Sequence, residues 1–503
     1  MPAAAEYAPT VEDSDNAAPR NAKRPLEHAG PRRPAGLAAR GRGAPLDRLL
    51  RKVAAVRPAD PERLKPIVLL GLVVGLQSAD GGTVGALVVS LKQALHINDI
   101  QVGLLVTVST GVGALATLLA GVLADRTVRI RMLWMALLLC SAAMALSAAA
   151  PNYGWLPACR VCLGAGMAVS GPVVASLIGD YFEPVERGRV YGLVLAGEGI
   201  CTALGLLVAG ELGALSWRLG FCGLAVVGFA LAVAVATMLR EPRRRGLGDA
   251  SSDAPAVAGL EHVRRRTAWG DLRAVLSIRT NAVLIAGSSF GNFFSTGLST
   301  FGVALLCGRF QIGQAIATVL IPALGIGALV GVLNCGRIAD RLTRRGHISA
   351  RIVLGGMAFL AAAVLILPTL LTNSLPVALV FAFLAGIALG SGNPPLNAAR
   401  LDIVPSRLWG TAEAVRSTLV SISTGVAPLI FGAVSTAFNR GVAPNAAMAL
   451  DHTFLIMLAT LVIASALLLG LGRRTYPRDV AAAMATELLA GADAAPLLLR
   501  QAR

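Results

Sequence analysis

Twelve long apolar runs decide what this chain can fold into. They lie near residues 66–91, 100–123, 131–150, 156–179, 190–212, 218–239, 281–306, 313–336, 350–371, 376–399, 409–437 and 451–472. A hydrocarbon core about 30 Å thick needs roughly 20 residues of helix at a rise of 1.5 Å each, and every run reaches that length. No water is present inside a bilayer to pair with backbone N–H and C=O groups, so each run must be a helix that satisfies itself. Alternating strands of barrel length are absent from the sequence. Only 15% of the residues are charged and 55% are hydrophobic, whereas a soluble protein normally carries about 25% charged residues. A soluble enzyme and a wholly disordered chain are therefore excluded, and the fold class is an all-α integral membrane protein with twelve transmembrane helices.

The net charge of +17 raises the question of nucleic acid, and its distribution answers it. Of 45 Lys and Arg, 13 precede residue 66, five follow residue 472, and only Lys92, Arg218, Arg309 and Arg440 fall in the opposite set of loops. Arg160 and Arg416 lie within spans, and the rest occupy alternate inter-span loops. This is the positive-inside asymmetry of a multi-pass protein. It places both termini in the cytoplasm and the chain in the plasma or inner membrane, with the lipid bilayer as its partner and no nucleic acid.

Residues 1–65 are rich in Ala, Pro, Arg and Gly and read as a disordered basic cytoplasmic tail. Within them, Leu46, Leu49, Leu50 and Val53 recur at helical spacing among Arg48, Arg51 and Lys52, the pattern of either a basic amphipathic helix on anionic lipid or a solvated tail. Residues 66–239 form one six-helix half and 281–472 a second, separated by a cytoplasmic loop at 240–280 and followed by a cytoplasmic tail at 473–503. The seven cysteines show no disulfide spacing, and Cys159 and Cys162 form a C-x-x-C without a second pair or a nearby His, so no metal site is expected.

The two halves repeat. Segment two ends in Gly121, Asp125, Arg126 and Arg129, and segment eight ends in Gly336, Asp340, Arg341 and Arg344, with each matched position offset by about 215 residues. A looser echo follows segments four and ten, where Asp180, Pro184 and Arg187 answer Asp402, Pro405 and Arg407.

On these two G-x-x-x-D-R-x-x-R loops the chain resembles the major facilitator superfamily over about residues 60–475. The resemblance implies two pseudo-symmetric six-helix halves and alternating access about a central site. The first half is similar to the Spinster-like transporters through Asp80, Arg160 with Gly164 and Gly166, Trp217-Arg218 with Phe221, and Arg240-Glu241-Pro242. It departs from them at Met167, where that pattern has Glu. The fold also implies that helices one, four, seven and ten line the cavity, which brings Asp80 and Arg160 toward one another.

Ionisable groups deep in a span are costly and usually mark function. Three stand out for proton coupling: Asp80 beside Gln77, Ser78 and Gly81-Gly82; Arg160 in the outer part of segment four; and Glu198 between Gly197 and Gly199. Desolvation favours the neutral form of a buried carboxylate and a nearby guanidinium favours the charged form, so separating the pair changes proton occupancy. A permanent Asp–Arg brace, and for Glu198 a helix-packing contact, are the alternatives. The substrate cavity is assigned to Gln77, Asp80, Arg160, Ser288, Asn292, Asn393 and Asn397, with Asn393-Pro394-Pro395 expected to interrupt segment ten. The Asp-Arg loops read as cytoplasmic gates. A carboxylate can cap the positive N-terminus of a helix in the opposite half, so Asp125 is expected near Trp409 to Ala412 and Asp340 near Gly188 to Gly192.

No nucleotide-binding G-x-x-x-x-G-K-[ST] loop occurs and all five His fall in tails or loops, so ATP, cofactor, metal and enzyme chemistry are not expected. The expected function is that of a monomeric secondary active transporter of a small organic or amphiphilic solute, proton-coupled and exporting. The alternatives are a proton-coupled symporter importing an organic anion and a non-transporting receptor or scaffold.

Overall fold

The structure is a computed structural model that describes residues 61–182, 184–241, 273, 275–404, 409–441 and 446–485. The expectations for the rest of the N-terminal tail, most of the central loop and the last residues fall outside these. Among the described residues, twelve helices are long and apolar enough to cross a membrane. They are α1 (Pro61–Ala86, extended by Val88–Leu95), α2 (Asp99–Arg126), α3 (Arg129–Ala148), α4 (Trp155–Tyr181), α5 (Pro184–Leu215) and α6 (Trp217–Met238). In the second half they are α7 (Arg279–Phe310), α8 (Gln314–Arg344), α9 (Ala350–Leu371), α10 (Leu375–Ile403), α11 (Trp409–Gly441) and α12 (Ala446–Ala466). Among the described residues there is no strand.

The packing has the same plan twice. In the first half α1 packs on α5, α2 on α4, and α3 on α4 and α6; in the second α7 packs on α11, α8 on α10, and α9 on α10 and α12. The halves meet through α2 against α11, α5 against α8 and α1 against α7. These contacts map onto one another when the halves are exchanged, which is the pseudo-symmetry that the repeated loops imply. Small residues let the backbones approach. A Cβ on Gly390 would stand 2.0 Å from the Ala328 carbonyl oxygen, and one on Gly432 would stand 2.1 Å from that of Asp99. The glycine runs at 325–331 and 385–392 are thus helix-packing surfaces rather than ligand loops.

Three boundaries differ from expectation. Segment one extends to Leu95 rather than residue 91, as Leu87 N–H still bonds to Thr83 O and Leu91 N–H to Leu87 O. Pro394 and Pro395 do not interrupt segment ten, for α10 runs unbroken from Leu375 to Ile403. A proline ring crowds the turn before it. Here that turn is Gly390–Gly392, and a membrane helix absorbs the missing donors through its neighbours. Third, α12 does not end at residue 472: it passes through a wider π turn at Leu467–Gly472 and stays helical to residue 485. Residues 473–485 of the expected tail are therefore part of the helix, and Tyr476 is buried.

The end of the bundle carrying residues 121–129 and 336–345 is the loop end; the other is the far end. Among the described residues, the polar contacts between halves lie at the far end. Gln314 Oε1 accepts the Ser90 N–H at 3.0 Å. Asp99 is 4% exposed, accepts from Ser435 Oγ at 2.6 Å across the α2–α11 seam, and pairs with Lys92 Nζ at 2.7 Å.

Candidate transport site

Asp80 and Arg160 sit on α1 and α4, inside the first half, and are 2% and 1% exposed. The two charges act on one another electrostatically, yet no direct hydrogen bond or ion pair joins them. The Arg160 guanidinium carbon lies 4.9 Å from the centre of the Phe221 ring on α6, a cation–π contact that spreads its charge without using its donors. Nε, Nη1 and Nη2 of Arg160 and Oδ1 of Asp80 have no hydrogen-bond partner among the described residues. A buried ion normally spends all its donors or acceptors, because leaving them unmade costs the full desolvation of the group. The sequence-level choice between a permanent brace and a separable pair is thus sharpened: the groups are neighbours without being bridged.

Around them, Gln77 on α1 accepts a hydrogen bond from Ser170 Oγ on α4. Glu198 is not a bare acid among glycines, as its Oε1 accepts from Ser78 Oγ at 2.8 Å, linking α5 to α1. Gly75, one turn earlier on α1, has no room for a Cβ against Cys201. In the second half Ser288 is buried, Asn292 Nδ2 donates to its carbonyl at 2.8 Å, and Asn393 Nδ2 reaches Asn292 Oδ1 at 3.4 Å. These neutral groups join α7 to α10. Asn397 stands apart from them, on the wall of a cavity of about 540 Å³ at the loop end between α10 and α11. Asp80 and Arg160 are enclosed, and of the seven expected cavity residues Asn397 lines this opening.

The gate residues fare differently in the two halves. Gly121, Asp125 and Arg126 close α2, and their side chains lie outside the described residues, as do Trp409 and Gly410 on α11. Arg129 begins α3 and is 3% exposed at its side chain. Its Nη1 donates to Asp180 Oδ2 at 2.5 Å and to Ser176 Oγ at 2.7 Å, and its Nε donates to Glu241 Oε1 at 3.1 Å. Glu241 also accepts the N–H groups of Arg129 and Ile130 at 3.3 and 2.9 Å, so a carboxylate closes the positive end of α3.

In the second half the expected partners change. Asp340 Oδ1 accepts from Arg351 Nη2 of its own half at 3.4 Å, while the side chains of Arg189 and Tyr191, at the α5 start where it is expected, lie outside the described residues. Arg344 is exposed, and its Nε reaches only the Asp340 carbonyl at 3.3 Å. Arg351 takes the place that sequence matching gave to Arg344: its Nη1 donates to Asp402, which also accepts from Tyr476 Oη at 2.5 Å. Gly336 and Arg341 sit on the last turns of α8, with Arg341 exposed.

With this arrangement in place, comparison with known proteins becomes specific. The family model described as Major Facilitator Superfamily matches residues 70–369. The chain belongs to the major facilitator superfamily. Among relatives of this facilitator, the puromycin resistance protein pur8 of Streptomyces alboniger is 26% identical over 76% of this chain and 84% of its own length. A probable L-galactonate transporter of Escherichia coli is 25% identical over 73% and 82%. Among solved structures, a bacterial homolog of the human lysosomal transporter Spinster, inward-facing and unoccupied, superposes with a TM-score of 0.72 at 21% identity. It covers 84% of this chain and 98% of that one. The facilitator is thus similar in fold to the Spinster homolog and is by family a transporter of organic substrates.

Sequence reasoning missed four groups in this facilitator. Arg351 was hidden because the loop before α9 is longer than the loop before α3, which breaks the 215-residue register. Glu241 was visible only as part of a motif, and Asp99 falls just outside the apolar run at 100–123. Glu413 stands near a helix start, where an acid is unremarkable, although Arg416 inside the same span was the available signal.

Proposed function

We propose that this facilitator is a proton-coupled secondary active transporter that exports a small organic or amphiphilic solute from the cytoplasm. The observation that carries the reading is the enclosed Asp80 and Arg160, two opposite charges in neighbouring helices with unspent donors and acceptors. Such a pair is poised to change its interaction when helices move, and a carboxylate released from a guanidinium in an apolar interior takes up a proton. Proton occupancy and helix position are thereby linked, which is the requirement for coupling. The same requirement makes Asp80 the proton site and Arg160 its counter-charge, with Glu198 held by Ser78 in reserve. Outward movement is supported by the relative named for puromycin resistance, since a transporter protects a cell from an antibiotic by removing it. The Asp-Arg loops and the Arg129 and Arg351 clusters then lie at the cytoplasmic face, where they hold helix ends together during the cycle.

The test is transport in vesicles of purified protein with an imposed pH gradient, with labelled puromycin and labelled L-galactonate as the first two solutes. A solute that accumulates only when the gradient is present, and that moves protons in the opposite sense, supports coupled export. The second reading, a proton symporter for an organic anion, is favoured by the unspent donors of Arg160 and by the relative named as a probable L-galactonate transporter. It requires solute and proton to enter the vesicle together.

A further inference from the structure

We infer that the loop-end cavity between α10 and α11 is a docking site for the oxyanion head of an organic anion, in which Glu413 occupies the place of the ligand's carboxylate. The site deepens the transport reading above, since it names the class of solute that is first met or last released on this side. It uses none of the residues assigned to coupling.

The cavity, about 540 Å³, is walled by Asn397, Arg400, Leu401, Val404, Ala412 and Glu413. Its charged group is a triad. Arg400 Nη2 donates to Glu413 Oε2 at 2.6 Å; Arg416, one turn further along α11, donates from Nη2 to Oε1 at 2.5 Å and from Nε to Oε2 at 3.3 Å. Arg416 thus grips the carboxylate with the two-pronged edge that guanidinium offers to carboxylates and phosphates. The Arg400 side chain is 8% exposed and that of Arg416 21%, while Glu413 is 51% exposed. Arg400 is therefore fixed in the wall, Arg416 stands beside the wall and holds Glu413 from along α11, and the anion between them is the accessible member. The triad carries a net charge of +1.

This asymmetry is what an exchangeable anion site needs. Removing a carboxylate from a buried arginine leaves an uncompensated charge and is costly, but replacing one carboxylate by another is nearly even. Glu413 can swing toward solvent as a ligand oxyanion takes its donors, so the arginines are paired both before and after. Leu401, Val404 and Ala412 present apolar surface beside the charged pair, and Asn397 adds an amide. The ligand that fits has a carboxylate, phosphate or sulfonate at one end and an apolar body. Asp402, the nearest acid along α10, is committed to Arg351 and Tyr476 and does not neutralise the site.

The test uses the full chain in detergent with Asn397→Cys, the native cysteines left in place and modification read at residue 397 by mass spectrometry. The probes are the anionic sulfonatoethyl and cationic trimethylammonioethyl methanethiosulfonates, each normalised to its rate with a free thiol. The sulfonate is to react faster than the ammonium in the otherwise wild-type chain. Glu413→Gln is to raise that preference about three- to tenfold, the size of one unit charge acting across a few ångströms of partly screened solvent. Arg416→Gln is to abolish it, and if that variant does not purify, the comparison of wild type with Glu413→Gln decides. A cationic preference in the wild type, or a ratio unmoved by Glu413→Gln, overturns the inference. Asp80→Asn is to leave the ratio as it is, so failure of this site and failure of the coupling assignment are read separately.

Discussion

Arg351 donates to Asp402 across 51 residues of sequence, as Arg129 donates to Asp180 across 51. The two pairs tie the start of α9 to the end of α10 and the start of α3 to the end of α4, and each has a further member, supplied by the chain just past α6 in the first half and by the helical continuation of α12 in the second. In the first half this is Glu241, an acid that shares the arginine and caps α3. In the second it is Tyr476, a neutral donor that shares the aspartate. The architecture is repeated while the charge is not, because Arg129 faces two acids and Asp402 faces an arginine and a tyrosine.

From this follows a ranking of three arginines. Arg129→Ala leaves Asp180 and Glu241 without their cation and is expected to cost about 3 kcal/mol or more. Arg351→Ala is expected to cost less, since Tyr476 still donates to Asp402. Arg344→Ala, which touches only a carbonyl of its own helix, should fall within about 0.5 kcal/mol of wild type, as exposed substitutions do. Melting of the purified protein followed by tryptophan fluorescence orders the three. If Arg344→Ala is the most damaging of them, the assignment of Arg351 as the counterpart of Arg129 is wrong.

Much of this was legible beforehand, and the reasons for the rest are physical. Bilayer thickness and backbone satisfaction impose span length, so the number and order of the twelve helices were readable, while α8 and α12 run on past their apolar stretches to residues 344 and 485. Asp80 and Arg160 were readable because charge in an apolar run is rare. Arg351 was not, since register matching assumes equal loops and the α8–α9 connection is longer. The Arg400–Glu413–Arg416 triad was not, because a charge near a helix end satisfies topology as readily as it builds a site. Pro394 and Pro395 misled because the penalty for proline depends on what stands in the preceding turn, and here that turn is nearly bare.

The far-end seam offers a test of alternating access. Asp99→Asn turns the charge-assisted hydrogen bond from Ser435 into a neutral one, weakening the α2–α11 contact, and also frees Lys92 of the α1 extension. States of a transporter differ by a few kcal/mol, so loss of one such contact should shift the population toward the state open at the far end. A cysteine at Thr110, on α2 facing Gly425 of α11, should then be labelled faster by an impermeant reagent added outside right-side-out cells. Equal labelling with equal expression would show that Asp99 packs the seam without gating it.

Orientation is checked by reporter fusions. If the basic loops face the cytoplasm, a reporter placed within 240–280 and another after residue 485 should both report cytoplasm. An external signal from either contradicts the orientation used for the gate and for the direction of transport.

The central claim rests on Asp80. Asp80→Asn keeps size and removes the exchangeable proton, so the protein should bind solute and exchange it across the membrane, yet fail to concentrate it. Purified wild type and Asp80→Asn, reconstituted into vesicles, are compared with and without an imposed pH gradient, using a solute that the wild type accumulates. The account predicts that gradient-driven accumulation disappears in Asp80→Asn while gradient-independent exchange of labelled for unlabelled solute persists. Accumulation by Asp80→Asn against a solute gradient would contradict it and move the coupling role to Glu198.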